Sequence, residues 1–177
     1  MSINKILKLI SVIKKDLDHI YYGCLLKNKK NFKKNFFKIL ILSCSPEAFI
    51  IYFFRLSRFF YLSKLELIAI FFKNIIFVLY SCDLSYKAEI KGGIRFFHPF
   101  GVVIPEFCQI GEFTAIFPNV TIGNKYPYLN EDKKIHIGNY CILSTGSVLL
   151  TGCYVPDMIL VGANIVISQD LRFKLVK

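Results

Sequence analysis

Three histidines stand in this 177-residue chain, at positions 19, 98 and 136, and His98 has the setting in which an imidazole does chemistry. It precedes a proline in the string IRFFHPFGVVIPE, and Asp83 lies fifteen residues before it. A carboxylate that accepts from one ring nitrogen fixes the tautomer and leaves the other nitrogen as a base. Such a pair suits removal of a proton from a hydroxyl, provided the fold sets the two on neighbouring strands about 4.8 Å apart. A lone histidine is more often structural, so the case for His98 depends on Asp83 and on what positions both.

The positioning elements are legible as a repeat. Aliphatic residues fall every sixth position at Ile104, Ile110, Ile116 and Ile122, and again at Ile137, Leu143, Leu149, Val155, Val161 and Ile167. Two places before them stand compact residues such as Cys108, Thr114, Val120, Cys141, Ser147 and Cys153. Neither a helix nor ordinary alternating strands keeps a strict step of six. A solenoid that turns a corner every six residues does, with one side chain per hexad in the core and a small one near each corner. The fold class is therefore mainly β, a left-handed parallel β-helix of hexapeptide type with an N-terminal α-helical segment. The repeat begins at Leu84, Ile90 and Phe96, shifts phase at HPFGVV, and breaks between Ile122 and Ile137, which are fifteen apart. The interruption predicts a polar loop over 123–136, and loops thrown out of a solenoid are where such scaffolds carry function.

Ahead of the repeat, residues 1–81 read as a helical oligomerisation segment and 82–177 as the β-helix. Ile3, Ile6, Leu7, Ile10 and Ile13 predict an amphipathic first helix with lysines off its apolar stripe. Pro46 opens a strongly apolar region interrupted by charges, which predicts two buried or subunit-facing helices meeting near Leu62 to Lys64. Charged residues interrupt it too often for a spanning helix of about 20 apolar residues. The formal charge of +11 is concentrated in residues 1–75, which carry fourteen Lys or Arg against four acids. That distribution suits a peripheral membrane contact through the basic N-terminal helices, at the inner face of the membrane, or a solvated basic face. No nucleic-acid partner is expected. The six cysteines have no CxxC spacing and read as reduced thiols of a cytoplasmic protein, and the N-terminus does not resemble a signal peptide.

The residues RLSRFFYL, DLSYKAEIKGGIRFFHPFGVVIPE, VTIG at 120–123 and VGANIVISQD at 161–170 resemble the serine acetyltransferase branch of the hexapeptide-repeat acyltransferases, which includes O-acetyltransferases of capsular and other surface sugars. The resemblance implies that His98 is the general base of an H-x-x-G-[IV]-V motif and that Asp83 orients it. It implies acetyl-CoA as acetyl donor, lying in a groove between two repeat domains, with Asn124, Thr145 and Gly146 on cofactor-contacting positions. Glu106 matches an acidic position bordering the site, and Lys133 and Lys134 stand where the family has an Arg-His pair that grips the serine carboxylate. Lysines keep the charge but lose the bidentate fork. Phe97 replaces an aspartate that holds the substrate ammonium, and the chain lacks the PPxSxxxGxPAK tail that helps cover the cofactor.

The resulting expectation is an acetyl-CoA-dependent O-acetyltransferase acting on a sugar hydroxyl of a surface polysaccharide. Serine O-acetylation in cysteine biosynthesis and a non-catalytic scaffold are the alternatives. The resemblance implies a homotrimer, and the helices offer a way to pair trimers into a hexamer; the sequence leaves both assemblies open. No metal is needed, and a zinc site of the γ-type carbonic anhydrase kind would require three histidines where the repeat offers His98 and His136.

Overall fold

The computed structural model describes residues 3–25, 43–125 and 134–168. Among the described residues three helices, α1 (Ile3–Leu25), α2 (Pro46–Leu62) and α3 (Glu66–Tyr80), precede thirteen short strands. Helix α2 starts where the sequence supplies a cap: the Ser45 hydroxyl accepts from the Ala48 N–H, with Pro46 and Glu47 in the first turn. Helix α3 ends at Ser81, which takes a left-handed conformation with φ 50°. No described helix is long and apolar enough to cross a membrane.

The strands, β1 (Asp83–Leu84) to β13 (Val166–Ile167), pair in parallel and sort into three sheets. Sheet A holds β1, β4, β7, β10 and β13, sheet B holds β2, β5, β8 and β11, and sheet C holds β3, β6, β9 and β12. Every third strand therefore returns to the same face, which is the three-sided left-handed coil expected from the hexad spacing. The edge from sheet A to sheet B is the first edge, B to C the second, and C to A the third.

The hexad residues fill the interior. Leu84, Ile104, Ile122, Leu149 and Ile167 stack inside sheet A, and the matching positions of the other two sheets are equally buried. Cys82, Cys108, Cys141 and Cys153 occupy the compact position two residues earlier, and all four are buried thiols outside any disulfide. Burial pushes the Cys108 thiol well above its ordinary range, so it serves as a small apolar filler.

Helix α1 differs from its sequence pattern. Ile3, Leu7 and Ile10 of the apolar stripe are 73%, 58% and 57% exposed, while the polar Asp16 on the other side is fully buried. The reason is an ion pair: Arg55 of α2 donates to both Asp16 oxygens at 2.8 and 3.1 Å. The Gly93 and Ile94 N–H groups of the first coil add two more donors, at 2.7 and 3.0 Å. Arg55 in turn donates to the Ile90 and Lys91 carbonyls, both at 2.7 Å. This cluster fastens the helices to the open end of the β-helix, where the first coil's backbone has no coil above it.

Candidate functional site at the third edge

Successive coils normally repeat with constant turns, and the third edge breaks that rule once. Its second crossing uses four residues, 117–120, between β6 and β7, whereas its first uses six, 97–102, between β3 and β4. Asn119 donates its N–H to the Phe100 carbonyl and Val103 donates to Val120, so the two crossings are back in register by Gly101. His98 and Pro99 are the extra pair. The added length lifts His98 off the coil, where it is exposed and takes φ 48°, a left-handed conformation uncommon for a side chain of this size. The phase shift in the sequence is this insertion.

Asp83 stands at the same edge. It opens β1, in register with Val103 of β4, which follows directly on the crossing that carries His98. Its carboxylate pairs with the Lys73 ammonium of α3 at 2.8 Å, and both groups are partly exposed. Among the described residues no hydrogen bond joins the Asp83 carboxylate to the His98 ring. Lys73 gave no signal in the sequence, because nothing in a helical pattern tells which turn will overhang the first coil.

Phe97, Phe117, Ser144 and Gly162 occupy one position in four successive coils, each following directly on a paired core residue. The Phe97 ring lies between the Arg95 guanidinium, 4.0 Å away, and the Phe117 ring at 4.7 Å. Arg95 is held by the Glu47 carboxylate at 3.2 Å. The position that resembles an ammonium-binding aspartate is thus an aromatic ring capped by a cation. Arg95, Glu47 and Phe117 were missed in the sequence, although the repeat phase places Arg95 outward, two residues before Phe97. Below Phe117 the column narrows to Ser144 and Gly162. Thr145 and Ala163 beside it are exposed, so the backbone is approachable there. Gly146, φ 69°, has no room for a Cβ because the Asn164 amide fills that space. Ser144, Thr145, Gly146, Gly162 and Ala163 thus leave an open strip of small residues along this edge.

The remaining sequence-predicted residues lie elsewhere. Glu106, Asn124 and Lys134 stand on the first edge, between sheets A and B. Glu106 pairs with Lys87 at 3.2 Å, and Asn124 accepts from the Thr151 hydroxyl at 3.0 Å. Lys134 is exposed, directly before β8. Lys133 and most of the 123–136 loop lie outside the described residues. One chain therefore gathers His98, Asp83, Thr145 and Gly146 at the third edge but leaves Glu106, Asn124 and Lys134 on the first. No group of His, Cys, Asp and Glu suited to a metal occurs among the described residues.

No family model matches the chain. It is similar to the serine acetyltransferase of Helicobacter pylori, 26% identical over 138 residues, which covers 78% of this chain and 79% of that one. A serine acetyltransferase of Staphylococcus epidermidis is 35% identical over 85 residues, covering 46% and 38% of the two chains. Among solved structures, serine acetyltransferase 1 of Entamoeba histolytica in complex with L-cysteine superposes with a TM-score of 0.77 at 24% identity, covering 94% of this chain and 62% of that one. A serine acetyltransferase in complex with CoA superposes at 0.70 and 20% identity, covering 89% and 61%. The chain spans about three fifths of the length of these solved proteins. The named relatives point toward the serine branch more than toward the sugar O-acetyltransferases expected first. By sequence over three quarters of its length the chain is similar to serine acetyltransferases, and over nearly all of its length it shares their left-handed β-helix fold.

Proposed function

We propose that the chain transfers an acetyl group from acetyl-CoA to a hydroxyl, with His98 as general base and Asp83 as the carboxylate that steadies its charge. The observation that carries this reading is the two-residue insertion that raises His98 out of the first coil beside the strand of Asp83. When bound, acetyl-CoA supplies the thioester carbonyl at which the acceptor oxygen reacts. His98 accepts the hydroxyl proton, and the nearby Asp83 carboxylate favours the imidazolium that results. Lys73 of α3 pairs with that carboxylate. Thr145 and Gly146 line the strip along which the donor lies.

Glu106, Asn124 and Lys134 join this site only across a subunit junction. Setting the first edge of one copy against the third edge of the next closes a groove with residues from both, and three copies complete a ring. A homotrimer, paired into a hexamer through the helices, follows, and an enzyme that consumes acetyl-CoA belongs in the cytoplasm. Contact of the basic helices with the inner face of the membrane is compatible with this placement.

L-serine is the acceptor that the relatives favour. A sugar hydroxyl of a surface polysaccharide is the second reading, and Phe97 favours it: an amino-acid ammonium approaching that position meets the Arg95 guanidinium where a carboxylate would be needed. Thiol release from acetyl-CoA, measured with L-serine and with acceptor oligosaccharides, separates the two. A non-catalytic scaffold would release no thiol with either.

A further inference from the structure

A slot of about 680 Å³ opens beneath α1, beside the second edge, away from the edge that carries His98. It lies within the range of ligand-binding cavities, roughly 300–1,000 Å³. Helix α1 spans it as a bar fixed near both ends. The Lys5 ammonium donates to the Leu62 carbonyl at 2.9 Å, and Lys15 pairs with Glu112 at 2.9 Å. The ten residues from Lys5 to Lys15 span about 15 Å of helix, so the slot is long and narrow. Its walls are apolar: Leu9 and Val12 from α1, Phe59 and Leu62 from α2, and Ile90 from the first coil.

The charges that line it do not balance. Lys15 pairs with Glu112 and Arg55 with Asp16, which leaves Lys5, Lys8, Arg58 and Lys91 against the single carboxylate of Glu89. Arg58 is half-buried, and the hydrogen bonds of its guanidinium run to the Tyr86, Lys87 and Ala88 carbonyls at 3.2, 3.1 and 2.7 Å, all from one nitrogen. No carboxylate lies within ion-pair distance of it among the described residues; burial draws its pKa below the ordinary value, and the Glu89 carboxylate, acting from farther off, opposes that only in part. Lys8 and Lys91 line the same slot and make no ion pair among the described residues. A half-buried guanidinium whose nearest carboxylate stands beyond ion-pair distance gains from an anion that a ligand brings into contact.

We propose that this slot binds a single-chain anionic amphiphile, an aliphatic chain ending in a phosphate, with the headgroup held by Arg58, Lys8 and Lys91 and the chain lying along Leu9, Val12 and Phe59. The apolar length explains the chain, and the surplus of cations at its wall explains the headgroup. The site is separate from the acetyl-transfer site and does not depend on that function.

Titration calorimetry of the full chain with dodecyl phosphate below its micellar concentration tests it, with dodecyl maltoside and inorganic phosphate as the chain-only and headgroup-only arms. Saturable binding of dodecyl phosphate is expected, at least tenfold tighter than either arm and weakened at least tenfold by Arg58→Gln. Because Arg58 also holds three carbonyls, the double variant Lys8→Gln/Lys91→Gln, at exposed positions, is the decisive one and should weaken binding as well. Equal affinity for dodecyl maltoside, equal affinity for inorganic phosphate, or an unchanged affinity in the double lysine variant overturns the proposal.

Discussion

Asp16 of α1 and Arg55 of α2 form an ion pair with N···O 2.8 Å, side chains 0% and 4% exposed, at the junction of the helices with the first coil. Four hydrogen bonds converge on the carboxylate, two from Arg55 and two from the coil's own N–H groups. Removing one partner leaves a buried charge without compensation. Asp16→Ala is therefore expected to cost about 3–5 kcal/mol of stability, read as a lowered urea midpoint. An unchanged midpoint would mean that α1 is not anchored through this pair.

His19 supplies a pH dependence at the same junction. Its Nδ1 meets the Gly93 carbonyl, and burial holds its pKa below the ordinary 6.5. The unfolded chain thus takes up a proton at a higher pH than the folded chain does. Stability from this group is complete above the unfolded value and is lost as pH falls toward the folded one, from about pH 7 downward. Urea midpoints at pH 7.5 and pH 5.5 should differ for the natural chain and differ less for His19→Gln. Equal slopes in the two proteins would rule the group out.

Gly146 tests the third edge as a structural strip. It has φ 69°, and the Asn164 side chain of the next coil occupies the space a Cβ would need. Gly146→Ala is expected to cost about 1–3 kcal/mol through the left-handed backbone, with the clash at Asn164 added. Thermal unfolding measures it, and a variant as stable as the parent would show that the edge can shift to make room.

The scaffold was legible because the solenoid writes its geometry into the spacing: each sixth aliphatic residue from Leu84 to Ile167 is a core position, and the slip at HPFGVV is a real insertion. Phe97, Thr145 and Gly146 were singled out by the resemblance rather than by the spacing. What the spacing hides is anything set by contact between elements. The apolar stripe of α1 suggested burial of Ile3, Leu7 and Ile10, yet a single buried carboxylate at Asp16 turns the helix the other way. Lys73 reaches Asp83, and Arg95 caps Phe97, through tertiary placement of α3 and α2 that no local pattern encodes. The separation of Glu106, Asn124 and Lys134 from His98 follows only once strands are assigned to faces, since residues near in sequence alternate among three edges.

The most direct measurement follows free thiol from acetyl-CoA with the purified chain, adding L-serine or a sugar acceptor, for the natural protein and for His98→Ala. Acceptor-dependent release that falls about 10²- to 10⁴-fold in the variant, with unfolding unchanged, is the predicted result. Release that survives the loss of the imidazole, or no release by the natural protein with any hydroxyl acceptor, would contradict general-base acetyl transfer at His98.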